Sequence, residues 1–193
     1  MKRLLLLIAS VCLAWGNACA DDFSFGGGTR AVWISPAGRR ASGSTSIDSD
    51  LKPEVVLQYS PARIISLEYG LLYSRHSFIY GSPPRGTGAM ELLTQNLTVL
   101  LHPFSGKMVD CYVGAGGNLM VPGETASTEQ SFAIDTHAGW TIQAGINLKL
   151  TPAFWLNFDY RRLDMDTTAT IDGRSYRFDI SPDLYSFGIL FRR

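Results

Sequence analysis

The chain has 193 residues, 17 Lys+Arg against 17 Asp+Glu, and 46% apolar side chains. A neutral balance leaves no electrostatic case for nucleic acid, and the length fits one domain. Past the N-terminal segment no apolar run exceeds the four residues of Ala31 to Ile34, which excludes a transmembrane helix of about 20 residues.

Lys2 and Arg3 form a basic head, Leu4 to Trp15 an apolar stretch, and Ala18-Cys19-Ala20 a small-x-small site before Asp21-Asp22. That layout predicts a secretory signal peptide over 1–20, cut after Ala20, and one exported domain over 21–193. The apolar stretch is too short for a membrane anchor. Gly16 stands where a lipidated Cys19 would want an aliphatic residue. Cys12 and Cys19 leave with the leader, so Cys111 remains alone and no intrachain disulfide can form.

Alternation of apolar and polar residues then predicts eight strands. They lie near Phe25 to Ser35, Lys52 to Ser60, Ile64 to Ile79, Glu91 to His102, Val109 to Val121, His137 to Leu150, Phe154 to Ala169 and Asp179 to Arg192. In Ala138 to Leu150 one face reads Ala, Trp, Ile, Ala, Ile, Leu, Leu and the other Gly, Thr, Gln, Gly, Asn, Lys. Such a strand suits either a soluble sandwich, apolar face inward, or a barrel in lipid, apolar face outward.

The connections favour the barrel. Pro61 to Arg63, Phe104 to Met108 and Thr151 to Ala153 are tight. They alternate with the long Ala37 to Asp50, Gly81 to Ala89 and Pro122 to Thr136, and Asp172 to Arg177 closes the last pair. Long loops at one end and short turns at the other are expected of outer-membrane barrels, with both termini on the periplasmic side. Tyr73 and Trp140 fall at long-loop ends, and Tyr59, Phe154 and Phe191 at short-turn ends, as two interfacial girdles require. The expected fold is an all-β, eight-stranded antiparallel transmembrane barrel. Its last strand, Tyr185 to Phe191, resembles the signal read by outer-membrane assembly machinery, although Arg192 and Arg193 follow the final aromatic.

Tyr112-Val113-Gly114-Ala115-Gly116, Asp164 to Ala169 and the Ser181-Pro182 strand, in that order, resemble the OmpW-like small outer-membrane barrels. Ile65 to Glu68, Arg75-His76 and Pro36 are weaker matches. The resemblance implies a narrow, largely apolar interior and a role in passing small hydrophobic molecules across the outer membrane. The chain departs from it at Arg161, where an aromatic is expected, and at Gly70, where a bulky aliphatic residue is expected opposite.

With polar faces inward, the lumen receives Glu54, Gln58, Glu68, Asn96, Thr98, His102, Asp110, Asn118, Gln143, Asn147, Lys149, Asn157, Asp159 and Arg161. Buried charges need partners, so Glu54, Glu68 and Asp159 are expected to pair with Arg161 and Lys149. For Arg161, Glu68 and Asp159 are the expected acids, Glu54 less so. An apolar outer pocket is expected at Leu72, Tyr112 and Trp155, from which a solute would leave sideways between strands.

Catalysis offers Ser74 and His76 on one strand face, without an orienting acid at a matching spacing. His76, His102 and His137 lie on separate strands, and Asp164-Met165-Asp166 lacks the glycine of a calcium loop, so no metal or other cofactor is expected. The expectation is a monomeric, non-enzymatic conduit or receptor whose partners are outer-membrane lipid and lipopolysaccharide, the assembly machinery, and small hydrophobic solutes. A surface-recognition barrel, or a lipid A-modifying enzyme, are the alternatives.

Overall fold

Strands whose two faces differ in polarity must bury one of them. Here eight long strands do so by closing on themselves. The computed structural model describes residues 24–35, 46–47, 50–80, 86–105, 108–127, 132–134, 136–164, 166–171, 174–179 and 181–193. The expected leader, 1–20, lies outside them.

The wall is built from β1 (Ser24–Ser35), β3 (Asp50–Ala62), β4 (Ile65–Tyr80), β5 (Gly86–Ser105), β6 (Val109–Ser127), β8 (His137–Lys149), β9 (Phe154–Leu163) and β12 (Asp183–Arg192). All pairings are antiparallel, each strand with its neighbours in this order, and β1 closes on β12 from Gly26↔Arg192 to Ser35↔Asp183. Phe25 and Arg193 exchange two backbone hydrogen bonds of 3.0 Å, sealing the seam at the short-turn end. Closure matters because no water in lipid can satisfy an open edge.

Four further strands extend the long-loop end. These are β2 (Ser46–Ile47), paired with β4, and a separate sheet of β7 (Phe132–Ile134), β10 (Asp166–Ile171) and β11 (Arg174–Asp179). Five expected boundaries are corrected here. The seventh wall strand stops at Leu163, short of Ala169, and the eighth starts at Asp183, past Asp179. Most of the expected Asp172 to Arg177 loop is β11. Strand also takes much of two expected loops, since β5 begins at Gly86 and β6 runs to Ser127. Beyond the lipid a hairpin is held by its own ladder, as in Asp166↔Asp179 to Ile171↔Arg174, and needs no apolar face. Alternation therefore fades where the strand does not.

Side-chain direction follows the expected parity. Val55, Leu57, Val99, Leu101, Val113, Ile142, Phe158, Phe187 and Ile189 stand exposed on the outer surface. Their inward neighbours, among them Glu54, Val56, Leu100, Tyr112, Gln143, Asp159 and Leu190, are buried. An apolar belt outside a polar interior is the arrangement lipid selects.

Candidate functional site: a three-tier lumen

The outer third of the lumen is largely apolar, with Ser74 and Thr94 the buried hydroxyls beside Leu92 and Leu72. Val32, Ile34, Leu72, Leu92, Met120, Leu163 and Leu184 form one buried cluster contributed by six of the eight wall strands. Leu72 belongs here, as expected.

The middle tier is ionic. Arg30 on β1 grips Glu68 on β4 with two parallel bonds, Nη1 to Oε1 at 2.9 Å and Nη2 to Oε2 at 2.8 Å. Its Nε donates to Asn157 Oδ1 at 2.6 Å. Arg161 on β9 donates from Nη1 to Glu54 Oε1 on β3 at 2.6 Å and from Nη2 to Asp159 Oδ1 at 3.3 Å. The two cations also approach each other's acids, with Arg30 to Glu54 and Arg161 to Glu68 both 3.6 Å. Gln143 on β8 crosses the lumen to donate to Glu68 at 2.9 Å. Charge-assisted, partly bidentate bonds of this kind make burial of five ionisable groups tolerable.

Two glycines create the space. A Cβ on Gly70 would lie 2.6 Å from Glu54 Oε1 and 3.6 Å from Arg161 Nη1. The missing side chain opposite Arg161 is thus what admits the Glu54–Arg161 pair. A Cβ on Gly145 would collide with the Tyr112 hydroxyl, which donates to Asp159 Oδ2 at 2.8 Å.

Several expectations about the tiers are corrected. Glu54, expected to be the less suitable acid for Arg161, is its closest partner, because Arg30 occupies Glu68. Lys149 takes no part in the carboxylate network; its Nζ lies 5.4 Å from the Trp155 ring centroid. Tyr112 belongs to the ionic tier, and Trp155, one residue into β9, lies at the periplasmic mouth under Lys149 and Arg192. Neither lines an outer apolar pocket with Leu72. Both positions lie too near the short turns to reach the outer end.

Arg30 was the residue sequence reasoning missed. The inward face of β1 reads Gly26, Gly28, Arg30, Val32, Ile34, which has no polar character as a whole. Its signal lay in register, since Arg30 pairs directly opposite Glu54.

Below the ionic tier, hydrogen bonds continue downward: Asn157 donates to Tyr112 Oη and to Asn147 Oδ1, and Asn147 donates to Asp110 Oδ2 at 3.0 Å. There a chamber of about 390 Å³ opens to the periplasm. Arg192 turns back into it, donating to Asp110 Oδ2 at 2.7 Å and Gln58 Oε1 at 3.0 Å. Of the catalytic pair weighed from sequence, Ser74 is buried on the inward face, and the His76 side chain lies outside the described residues. Among the described residues no group of three or more His, Cys, Asp or Glu is placed to hold a metal.

A closed barrel with this lumen is matched over residues 29–192 by the OmpW family model. The chain belongs to the OmpW family. OprG of Pseudomonas aeruginosa superposes with a TM-score of 0.78 at 18% identity, covering 90% of this chain and 96% of that one. The outer-membrane protein AlkL gives 0.63 at 17% identity over 92% and 95% of the two chains. Outer membrane protein W of E. coli gives 0.58 at 16% over 90% and 98%. At these identities the likeness is one of fold. No curated protein sequence matches the chain. This OmpW-family barrel is an outer-membrane protein.

Proposed function

We propose that this OmpW-family barrel is a passive conduit or receptor for small apolar solutes, loaded from outside the cell. The observation that carries the reading is the polarity of the lumen. An apolar tier around Leu72, Met120 and Leu163 rests directly on an ion-paired floor. An apolar solute gains by entering the first and would have to strip the second of its hydrogen bonds to pass straight down. Its exit is therefore sideways into the bilayer.

The wall supports a lateral exit beside this tier. Between Met90↔Thr125 and Leu92↔Pro122 the β5–β6 register shifts, with Gly123 and Glu124 opposite the single residue Glu91. Pro122 has no N–H for the ladder, and Leu92 on the facing strand belongs to the apolar cluster. A bulge beside a proline leaves that part of the seam short of ladder hydrogen bonds.

The same reading includes export by a leader cut after Ala20, folding by the outer-membrane assembly machinery, and a monomer among lipid and lipopolysaccharide. A strain lacking the protein should take up small hydrophobic compounds more slowly, with its lipid A mass spectrum unchanged. Unchanged uptake would overturn the conduit. A mature N-terminus other than Asp21 would overturn the cleavage site.

A further inference from the structure

The periplasmic chamber carries an arrangement the conduit does not use. Ser66 on β4, His102 on β5 and Asp110 on β6 are joined in series. Ser66 Oγ lies 2.8 Å from His102 Nε2, and His102 Nδ1 lies 2.8 Å from Asp110 Oδ1. All three line the chamber. An ionised Asp110 only accepts, so Nδ1 carries a proton, and in the neutral ring Nε2 then accepts from the Ser66 hydroxyl. Ser60 Oγ, 2.8 Å from Ser66 Oγ, must then be the donor in that pair. The proton order is that of a serine nucleophile, its base and an orienting acid, assembled from three neighbouring strands.

The surroundings match that role. Asp110 is fixed by Arg192 and Asn147 through its other oxygen, leaving Oδ1 to the imidazole. Ser60 and Arg192 also line the chamber, and the buried Arg192 Nη2 makes no hydrogen bond. Arg63, Lys149 and Arg193 line the same space, and Trp155 adds an apolar wall.

We propose that Ser66, His102 and Asp110 form a hydrolytic centre for small carboxylic esters that carry an anionic group and enter from the periplasm. Ser66 Oγ attacks the ester carbonyl carbon as its proton passes to His102 Nε2. The carbon–oxygen bond to the alcohol breaks, and the alcohol leaves with the proton from His102. Water, deprotonated by the same nitrogen, then attacks the acyl-Ser66 carbonyl, releasing the carboxylic acid and restoring the hydroxyl. Arg63, Arg192 and Arg193 supply positive charge to the chamber in which the oxyanion develops. This activity is independent of solute passage, since it lies below the ionic floor.

The test uses the mature barrel, folded in detergent micelles and checked by heat-modifiable migration. A fluorophosphonate probe should label the peptide containing Ser66, found by mass spectrometry of the unmutated protein. Mono(4-nitrophenyl) succinate should be hydrolysed above the micelle background and faster than 4-nitrophenyl acetate. Ser66→Ala should abolish both signals, and His102→Gln should lower turnover by about 10³-fold. Lys149→Gln should raise KM for the anionic ester alone. A folded, unmutated barrel that takes no label at Ser66, or hydrolysis that survives Ser66→Ala, would overturn the proposal and leave the three residues a structural hydrogen-bond chain.

Discussion

The outer and middle tiers of the lumen are equally buried and are held together by opposite means. Around Leu72 and Met120 the interior is apolar, and its cohesion is non-directional. One or two layers below, Arg30 and Arg161 tie Glu54, Glu68 and Asp159 across the barrel at fixed distances. The outer tier adapts to an apolar guest at modest cost, since one hydrocarbon contact replaces another. The ionic tier has discrete partners and opens only if several charges lose them together. In the proposed conduit the first tier would admit the solute and the second would close the way down.

Removing a cation should break the comparison most severely. Arg161→Ala leaves Glu54 without its closest partner and should destabilise the barrel by about 3–5 kcal/mol. Ion conductance in planar bilayers should rise as water enters the floor. Wild-type melting and conductance would show that the floor is not the closure. Next, Leu72→Ala should cost about 3 kcal/mol through a cavity in the outer tier. Denaturant titration in micelles should detect the loss while conductance stays at the wild-type value; a conductance rise would mean that the apolar tier shares the closing role.

A smaller effect sharpens the boundary between the tiers. Gly70→Leu, which restores the bulk expected at that position, would drive a side chain into the Glu54 carboxylate. It should cost about 1–3 kcal/mol by overpacking and loosen Glu54 from Arg161, raising conductance less than Arg161→Ala does. The smallest effect belongs to the mouth. Lys149→Met removes only a cation held over Trp155 and should change stability by less than about 1 kcal/mol. A loss as large as that of Arg161→Ala would place Lys149 in the ionic network after all.

Much of this architecture was legible in the residues. The wall strands, their antiparallel order and the lipid-facing stripes follow from a period of two and from loop lengths. Of the expected lumen residues, Glu54, Glu68, Gln143, Asn147, Asn157, Asp159 and Arg161 are all buried. The strand ends were harder, because the β10–β11 hairpin outside the lipid needs no apolar face. Arg30 was missed for a related reason. Polarity marks the inward face only where the lumen is polar, and β1 turns apolar above Arg30.

Sequence by itself thus determined the all-β wall and which face of most strands meets lipid, because both are set by neighbours two residues apart. It also marked Arg161 and Gly70 as departures that belong together. Only the tertiary structure decided which acid each guanidinium takes, that Arg30 claims Glu68 and leaves Glu54 to Arg161, and that Trp155 lies at the opposite end from Leu72. The same holds for Ser66, His102 and Asp110, separated by 36 and 8 residues and joined at 2.8 Å. Partner choice inside a barrel depends on closure and register between strands, and no local pattern along one strand encodes either.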